Sequence, residues 1–307
     1  MSDFQFACPI CHTPLLSLSA DQMRCPIDGS IFERRDGIWR FLLLDRQAHY
    51  ERFTREYQIV RQAEKRGSTD AAYYRELPFA DLTGQFTADW RIRASSFRAF
   101  LRDVLQPMER HLQRPLRIVD LGAGNGWLSY RLAQRGHCVA AIDLIDNSFD
   151  GLGANVYYGT AFTPVQAEFD RLPIIDASID LVIFNASLHY STHYETTLSE
   201  ALRVLQPDGW IVILDSPVYR SASSGAEMVR DREAAFTQKV GFPSNALRSE
   251  NYLTDQRLSD LSETLRLRWQ FIQPFYGWRW SLRPLKARVL RRREPARFVV
   301  IVGRRWI

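Results

Sequence analysis

The chain has only four cysteines in 307 residues, no long apolar run, and almost no lysine. Each scarcity excludes something. No stretch approaches the roughly 18 consecutive apolar residues of a membrane span, and the opening "MSDFQFACP" lacks the basic and apolar regions of a secretion signal. The sequence therefore reads as that of a cytoplasmic protein without a membrane partner. Cys8, Cys11 and Cys25 crowd into the first 25 residues and Cys138 stands apart. That is too few and too clustered for a disulfide framework, so metal binding is the first alternative. Lysine occurs only at 65, 239 and 286, so arginine carries the net charge of +5, a modest excess that names no partner. There is no internal repeat and no low-complexity segment. At 46% hydrophobic residues, the chain has ample material for the core of one large domain plus a small one.

Three regions separate. Residues 1–44, with short apolar pieces, turn residues and no helical period, predict a small β module. Residues 45–110 read as a helical lid or linker. Within them Phe97, Phe100, Leu101, Val104 and Leu105 fall on one helix face, and Pro107 is expected to stop that helix. From 111 to 307 strands and helices alternate: strands at Arg117–Leu121, Cys138–Ile142, Ile179–Phe184 and "GWIVILDSP", with helices near Trp127–Arg135 and Tyr194–Leu205. Such alternation predicts βαβ units and a parallel sheet. Residues 217–251 read as an insertion after the fifth strand, and "ARFVVIVGRRW" as a final strand.

At the first strand-to-helix turn stands "VDLGAGNGW", Val119 to Trp127. Glycines at such a turn let backbone N–H groups approach a ligand closely. The dinucleotide pattern G-x-G-x-x-G is absent, because Trp127 occupies the place of its last glycine. The run Asp120, Gly122, Gly124, Gly126 instead resembles motif I of the class I S-adenosylmethionine-dependent methyltransferases. Later segments support that likeness. "AAIDLID" offers Asp143 at the end of the second strand, where a carboxylate can bind both ribose hydroxyls, with Asp146 as its rival. "VQAEFDRLPIIDASIDLV" is similar to the family's "DAxxLPFxxxSFDLV", and "EALRVLQPDGWIVILD" to its helix, Pro-Gly turn and fifth strand.

The resemblance implies an α/β, Rossmann-like sheet of seven strands with S-adenosylmethionine as cofactor. Asp120 would face the methionine ammonium, Glu168 the adenine amino group, and Phe169 the ring; Asn185 ends the fourth strand on the same edge. Methyl transfer from a sulfonium needs alignment more than a base. For a hydroxyl acceptor, His189 or Tyr190 at the end of the fourth strand is the candidate base. The core sheet supplies only a floor, so the cover is expected from Phe79–Phe97, with Gly84 as hinge, Trp90 as cap, and Arg91 or Arg93 pairing the methionine carboxylate.

In the head, Cys8-x2-Cys11 and Cys25-x2-Asp28 both begin Cys-Pro and resemble the paired knuckles of a zinc ribbon, with Asp28 in place of a fourth cysteine and His12 a poorer candidate. Similar heads occur on some bacterial methyltransferases, including ones that modify guanine in ribosomal RNA. Three readings follow. The preferred one is methylation of a small molecule, its pocket walled by Trp90, Tyr219, Phe275, Tyr276, Trp278 and Trp280. The alternative is an RNA methyltransferase using the basic segment 279–293. The third is a non-catalytic relative, which the acidic cofactor positions argue against.

Overall fold

A computed structural model describes residues 4–159 and 162–306. Residues 1–3 and 307, the outer ends of the expected head and sheet regions, lie outside it, as do 160–161. The strands are β1 (Leu16–Ser19), β2 (Gln22–Arg24), β3 (Ile31–Arg35), β4 (Ile38–Arg40), β5 (Arg117–Leu121), β6 (Cys138–Asp143), β7 (Thr163–Gln166), β8 (Ile179–Asn185), β9 (Leu205–Leu214), β10 (Val218–Tyr219), β11 (Leu253–Thr254), β12 (Leu267–Ile272) and β13 (Val300–Arg305). The helices are α1 (Leu44–Ala63), α2 (Ala71–Glu76), α3 (Thr87–Phe100), α4 (Gln106–Leu112), α5 (Trp127–Ala133), α6 (Tyr194–Val204), α7 (Ala222–Val240), α8 (Asp255–Leu265), α9 (Trp278–Ser281) and α10 (Arg283–Val289).

The expected sheet is present in the order β7-β6-β5-β8-β9-β13-β12, parallel except for β13, which runs antiparallel between β9 and β12. Its central strands are mostly apolar: all seven residues of β8 are buried, Asp180 and Asn185 included, which is what helices on both faces require. β12 lay unread in the sequence because it is an edge strand with only its first residue buried.

The head does not stand apart from this sheet. β1–β4 form an antiparallel meander whose last strand runs parallel to β7, with Trp39 opposite Val165 and Arg40 opposite Gln166, so the whole sheet has eleven strands. One core spans both parts, from Phe6, Phe32, Trp39 and Phe41 in the head to Val119, Ile142, Val165 and Ile174. Phe6 and Phe41 pack with ring centres 5.0 Å apart.

Pro107 does not end its helix. After α3 the chain makes one wide π turn, Leu101–Leu105, closed by Gln106 N–H donating to the Leu101 carbonyl, and α4 then starts with Pro107 in its first turn. A proline is tolerated there because its missing N–H falls where the helix bond is already interrupted. The insertion after β9 is bracketed by β10 and β11, which pair in parallel, and carries α7.

Candidate active site

The cleft lies at the carboxyl ends of β5, β6 and β8, where an open α/β sheet binds ligands. β5 delivers the glycine turn. Gly122 has φ +74° and Gly126 φ +81°; a Cβ at Gly122 would come within 2.3 Å of the Ser187 Cβ, so no side chain fits between this turn and the loop after β8. Asp143, closing β6, accepts from the backbone N–H groups of Gly124 and Ile145, each at 2.8 Å. Burial nevertheless pushes its carboxyl up to about 6, the two N–H groups opposing that rise. The rival Asp146 is committed to an ion pair with Arg40 of the head.

One end of the cleft is suited to a nucleoside. Gly122, Gly124, Asp143, Ile145, Phe169, Asp170 and Ser187 line it, and Tyr50, Phe53 and Tyr57 of α1 roof it. Glu168 is not in that lining. Its carboxylate is buried, receives Arg46 Nε and Nη2 at 2.9 and 2.7 Å, and accepts from Tyr50 OH at 2.9 Å, tying α1 to the sheet. The role expected of Glu168 thus meets a carboxylate already engaged, while Asp170, two residues on, faces the cavity with one oxygen held by Thr197 Oγ1 at 2.5 Å. Burial raises the Asp170 carboxyl above its ordinary range.

The other end is polar and incompletely satisfied. Arg93, Trp90, Asn125, Asp150 and Asn185 line it beside Gly122 and Gly124. Two buried polar atoms there have no hydrogen-bond partner: Asn185 Oδ1, an acceptor, and Trp90 Nε1, a donor. Among the described residues no carboxylate forms an ion pair with Arg93, and burial pushes its guanidinium down from its ordinary value. Asp150, by contrast, is taken by Arg61. An unfilled acceptor beside unfilled donors suits a zwitterion, such as the amino and carboxylate groups of a methionine moiety. Asp120, expected to face the methionine ammonium, is fully buried and outside the lining: one oxygen accepts from Ser129 Oγ at 2.7 Å, the other is unpartnered, and burial lifts its carboxyl to about 7.

Of the two expected bases only Tyr190 reaches the cleft, where it lines both ends. His189 is buried outside the lining, its Nδ1 3.2 Å from Ser216 Oγ, and burial, aided by the nearby Arg232 and Arg93 charges, lowers its pKa to about 3. Its ring packs against that of Tyr190 with centres 4.4 Å apart, so it stands behind that side chain rather than in the lining. The expected cover is also revised. Trp90 packs edge-on to Trp127 at 6.0 Å and Phe97 to the same ring at 5.6 Å, anchoring α3 to the sheet; Arg91 is exposed, and of the two arginines only Arg93 meets the cleft. The roof is α1, whose Tyr50, Phe53, Tyr57 and Val60 lie at i, i+3, i+7 and i+10, a stripe visible in the sequence but unread. Of the six aromatic residues expected to wall a pocket, only Trp90 lines the cleft; Phe275 and Trp278 are exposed, while Tyr276 donates to or accepts from Ser96 Oγ at 2.8 Å.

In the head the two Cys-Pro turns fold alike. His12 N–H donates to the Cys8 carbonyl and Gly29 N–H to the Cys25 carbonyl, while Cys8 N–H reaches Thr13 and Cys25 N–H reaches Ser30. This brings the Cys8, Cys11 and Cys25 sulfurs and an Asp28 oxygen to within 4.8 Å of one another. Three sulfurs and one oxygen so grouped are a donor set for a tetrahedral ion. His12 takes the left-handed place that Gly29 takes in the other turn and is outside the donor set.

Comparison with known proteins finds one family and several relatives. Residues 119–213 match the family described as a methyltransferase domain. The chain is 33% identical over 98 residues to a malonyl-[acyl-carrier protein] O-methyltransferase of Buchnera aphidicola, covering 31% of this chain and 37% of that protein. It is 30% identical over 159 residues to an uncharacterized methyltransferase of Mycobacterium tuberculosis, covering 47% and 62%. It thus spans less than two thirds of the length of these curated relatives. A solved S-adenosylmethionine-dependent methyltransferase of Mesorhizobium loti aligns at TM-score 0.48 and 20% identity over 71% of this chain and 98% of its own.

Proposed function

We propose that this chain transfers a methyl group from S-adenosylmethionine to a small-molecule acceptor. One observation carries the reading: a single cleft has an apolar end closed by carboxylates Asp143 and Asp170 and a polar end with unsatisfied Asn185 Oδ1, Trp90 Nε1 and Arg93. Those ends match the nucleoside and the amino-acid halves of the cofactor. In this reading Asp143 holds the ribose, Phe169 and Asp170 flank the adenine, Arg93 and Trp90 receive the carboxylate, and Asn185 the ammonium, with Asp120 supporting that end from outside the lining. When bound, the cofactor supplies an electrophilic methyl on a positively charged sulfur. The protein's part is alignment and exclusion of water, for which α1 supplies the roof through Tyr50, Phe53 and Tyr57. Tyr190, common to both ends, is the side chain placed to touch the acceptor and to accept or relay its proton.

The head completes the proposal as a structural zinc site formed by Cys8, Cys11, Cys25 and Asp28, outside the cleft lining and acting through the shared sheet. The RNA reading gains no support from the relatives, whose names and alignments point to no nucleic-acid substrate. Calorimetric titration with S-adenosylhomocysteine tests the proposal: one site per chain is expected, and no binding to the folded wild-type protein would refute it.

A further inference from the structure

Behind Tyr190 the cleft opens into a second chamber, between α1 and the insertion that carries α7. Its walls include the rings of Phe53, Tyr57 and Phe236. Three arginines, Arg61, Arg66 and Arg232, stand among its polar groups. Arg61 and Arg66 face it together with Glu64, but they are spoken for: Arg61 pairs with Asp150, and Arg66 reaches Glu64 at 3.1 Å. Two other groups are not. Arg232 Nε, from α7, and Ser249 Oγ, from the irregular stretch after it, are both buried without a hydrogen-bond partner, and both line this chamber. Among the described residues no carboxylate forms an ion pair with Arg232.

A buried guanidinium N–H left unmade costs free energy, and a hydroxyl beside it adds to that cost, unless a ligand supplies the acceptor. We infer that the chamber is the acceptor subsite and that it takes a small aromatic acid, whose anionic group, a carboxylate or a phosphate, is received by Arg232 and Ser249. The guanidinium fork suits a planar or tetrahedral oxyanion, and the ring walls suit the rest of the molecule. Tyr190 then stands between the anion-bearing end of the acceptor and the cofactor cleft, so the atom to be methylated is the one projecting past Tyr190 away from the anion. The Arg232 charge adds to burial in opposing protonation of the neighbouring His189.

The inference rests on the cofactor reading above, and its test separates the two. The full chain, saturated with S-adenosylhomocysteine, is titrated calorimetrically with benzoate, phenyl phosphate and the neutral isostere benzamide. At least one anion should bind tenfold or more tighter than benzamide, and which anion wins identifies the source chemistry. Arg232→Met should abolish that preference, Arg232→Lys should retain part of it, and Ser249→Ala should weaken it several-fold, all with S-adenosylhomocysteine affinity unchanged. Equal binding of benzamide and both anions, or an anion preference that survives in Arg232→Met and Ser249→Ala alike, would overturn the inference and leave the cofactor reading standing. Failure of S-adenosylhomocysteine itself to bind would remove both.

Discussion

Replacing Arg93 by methionine should weaken cofactor binding without weakening the apo fold, a combination that few buried-residue substitutions give. Arg93 lies in the polar end of the cleft, burial disfavours its charge, and among the described residues it has no carboxylate partner. Its nearest compensation is the through-space attraction of Asp215, which itself accepts from Ser96 at 2.5 Å. Methionine keeps the packing over Trp90, where the guanidinium carbon now stands 5.2 Å from the ring, and removes the charge. The apo protein should therefore show a denaturant midpoint equal to or above that of the wild type. Binding should behave oppositely. A charge-assisted hydrogen bond to the methionine carboxylate is worth about 1.5–3 kcal/mol, which at about 1.4 kcal/mol per decade weakens S-adenosylhomocysteine by about 10- to 100-fold. 5′-Methylthioadenosine, which lacks the amino-acid half, should bind both proteins equally. Calorimetry with the two ligands decides the matter. Equal losses for both would show that Arg93 acts through the fold, and no loss for either would remove it from the site.

Arg46→Met should cost about 3–5 kcal/mol of stability in urea unfolding, because it leaves the buried Glu168 carboxylate with only Tyr50 and the longer, 3.7 Å pairing to the exposed Arg171; adding Glu168→Gln should recover most of the loss, and an additive double variant would refute the pairing. For His189 the folded pKa of about 3 lies below the ordinary 6.5, so the unfolded chain takes up the proton first. Stability from this group is full above about pH 6.5 and is lost as pH falls, by up to about 1.4 kcal/mol per pH unit. His189→Asn should flatten the wild-type slope between pH 6.5 and 4, and identical slopes would argue against the buried neutral imidazole. Elemental analysis should find about one zinc per chain, and Cys25→Ser should release it. Because β4 pairs with β7, that loss should lower the single melting transition of the whole chain rather than produce a separate one for the head; a metal-free wild type with the same melting temperature would refute the site.

What the sequence determined by itself was local: the apolar run Leu181–Phe184 of β8, the period of the helices, and the glycines of "VDLGAGNGW", whose left-handed backbone at Gly122 and Gly126 a side chain would block. These depend on neighbours within a few residues, and each is legible from composition and spacing. Two Cys-Pro turns of equal spacing belong with them, since each folds on its own backbone bonds. Tertiary structure decided the choices between equivalents. Asp143 and Asp146 are three residues apart and alike in chemistry, and only the arrival of Arg40 from the head commits one of them elsewhere. Arg91 and Arg93 share a helix, yet its packing on Trp127 turns only Arg93 to the cleft. Glu168 lost its vacancy to Arg46, 122 residues away in sequence, which left Asp170 facing the cavity. The roof and the second chamber depend on α1 and α7 meeting over Tyr190. A carboxylate's availability, a side chain's direction and the closure of a cavity are set by whichever distant element packs against them, and spacing along one chain segment does not encode that partner.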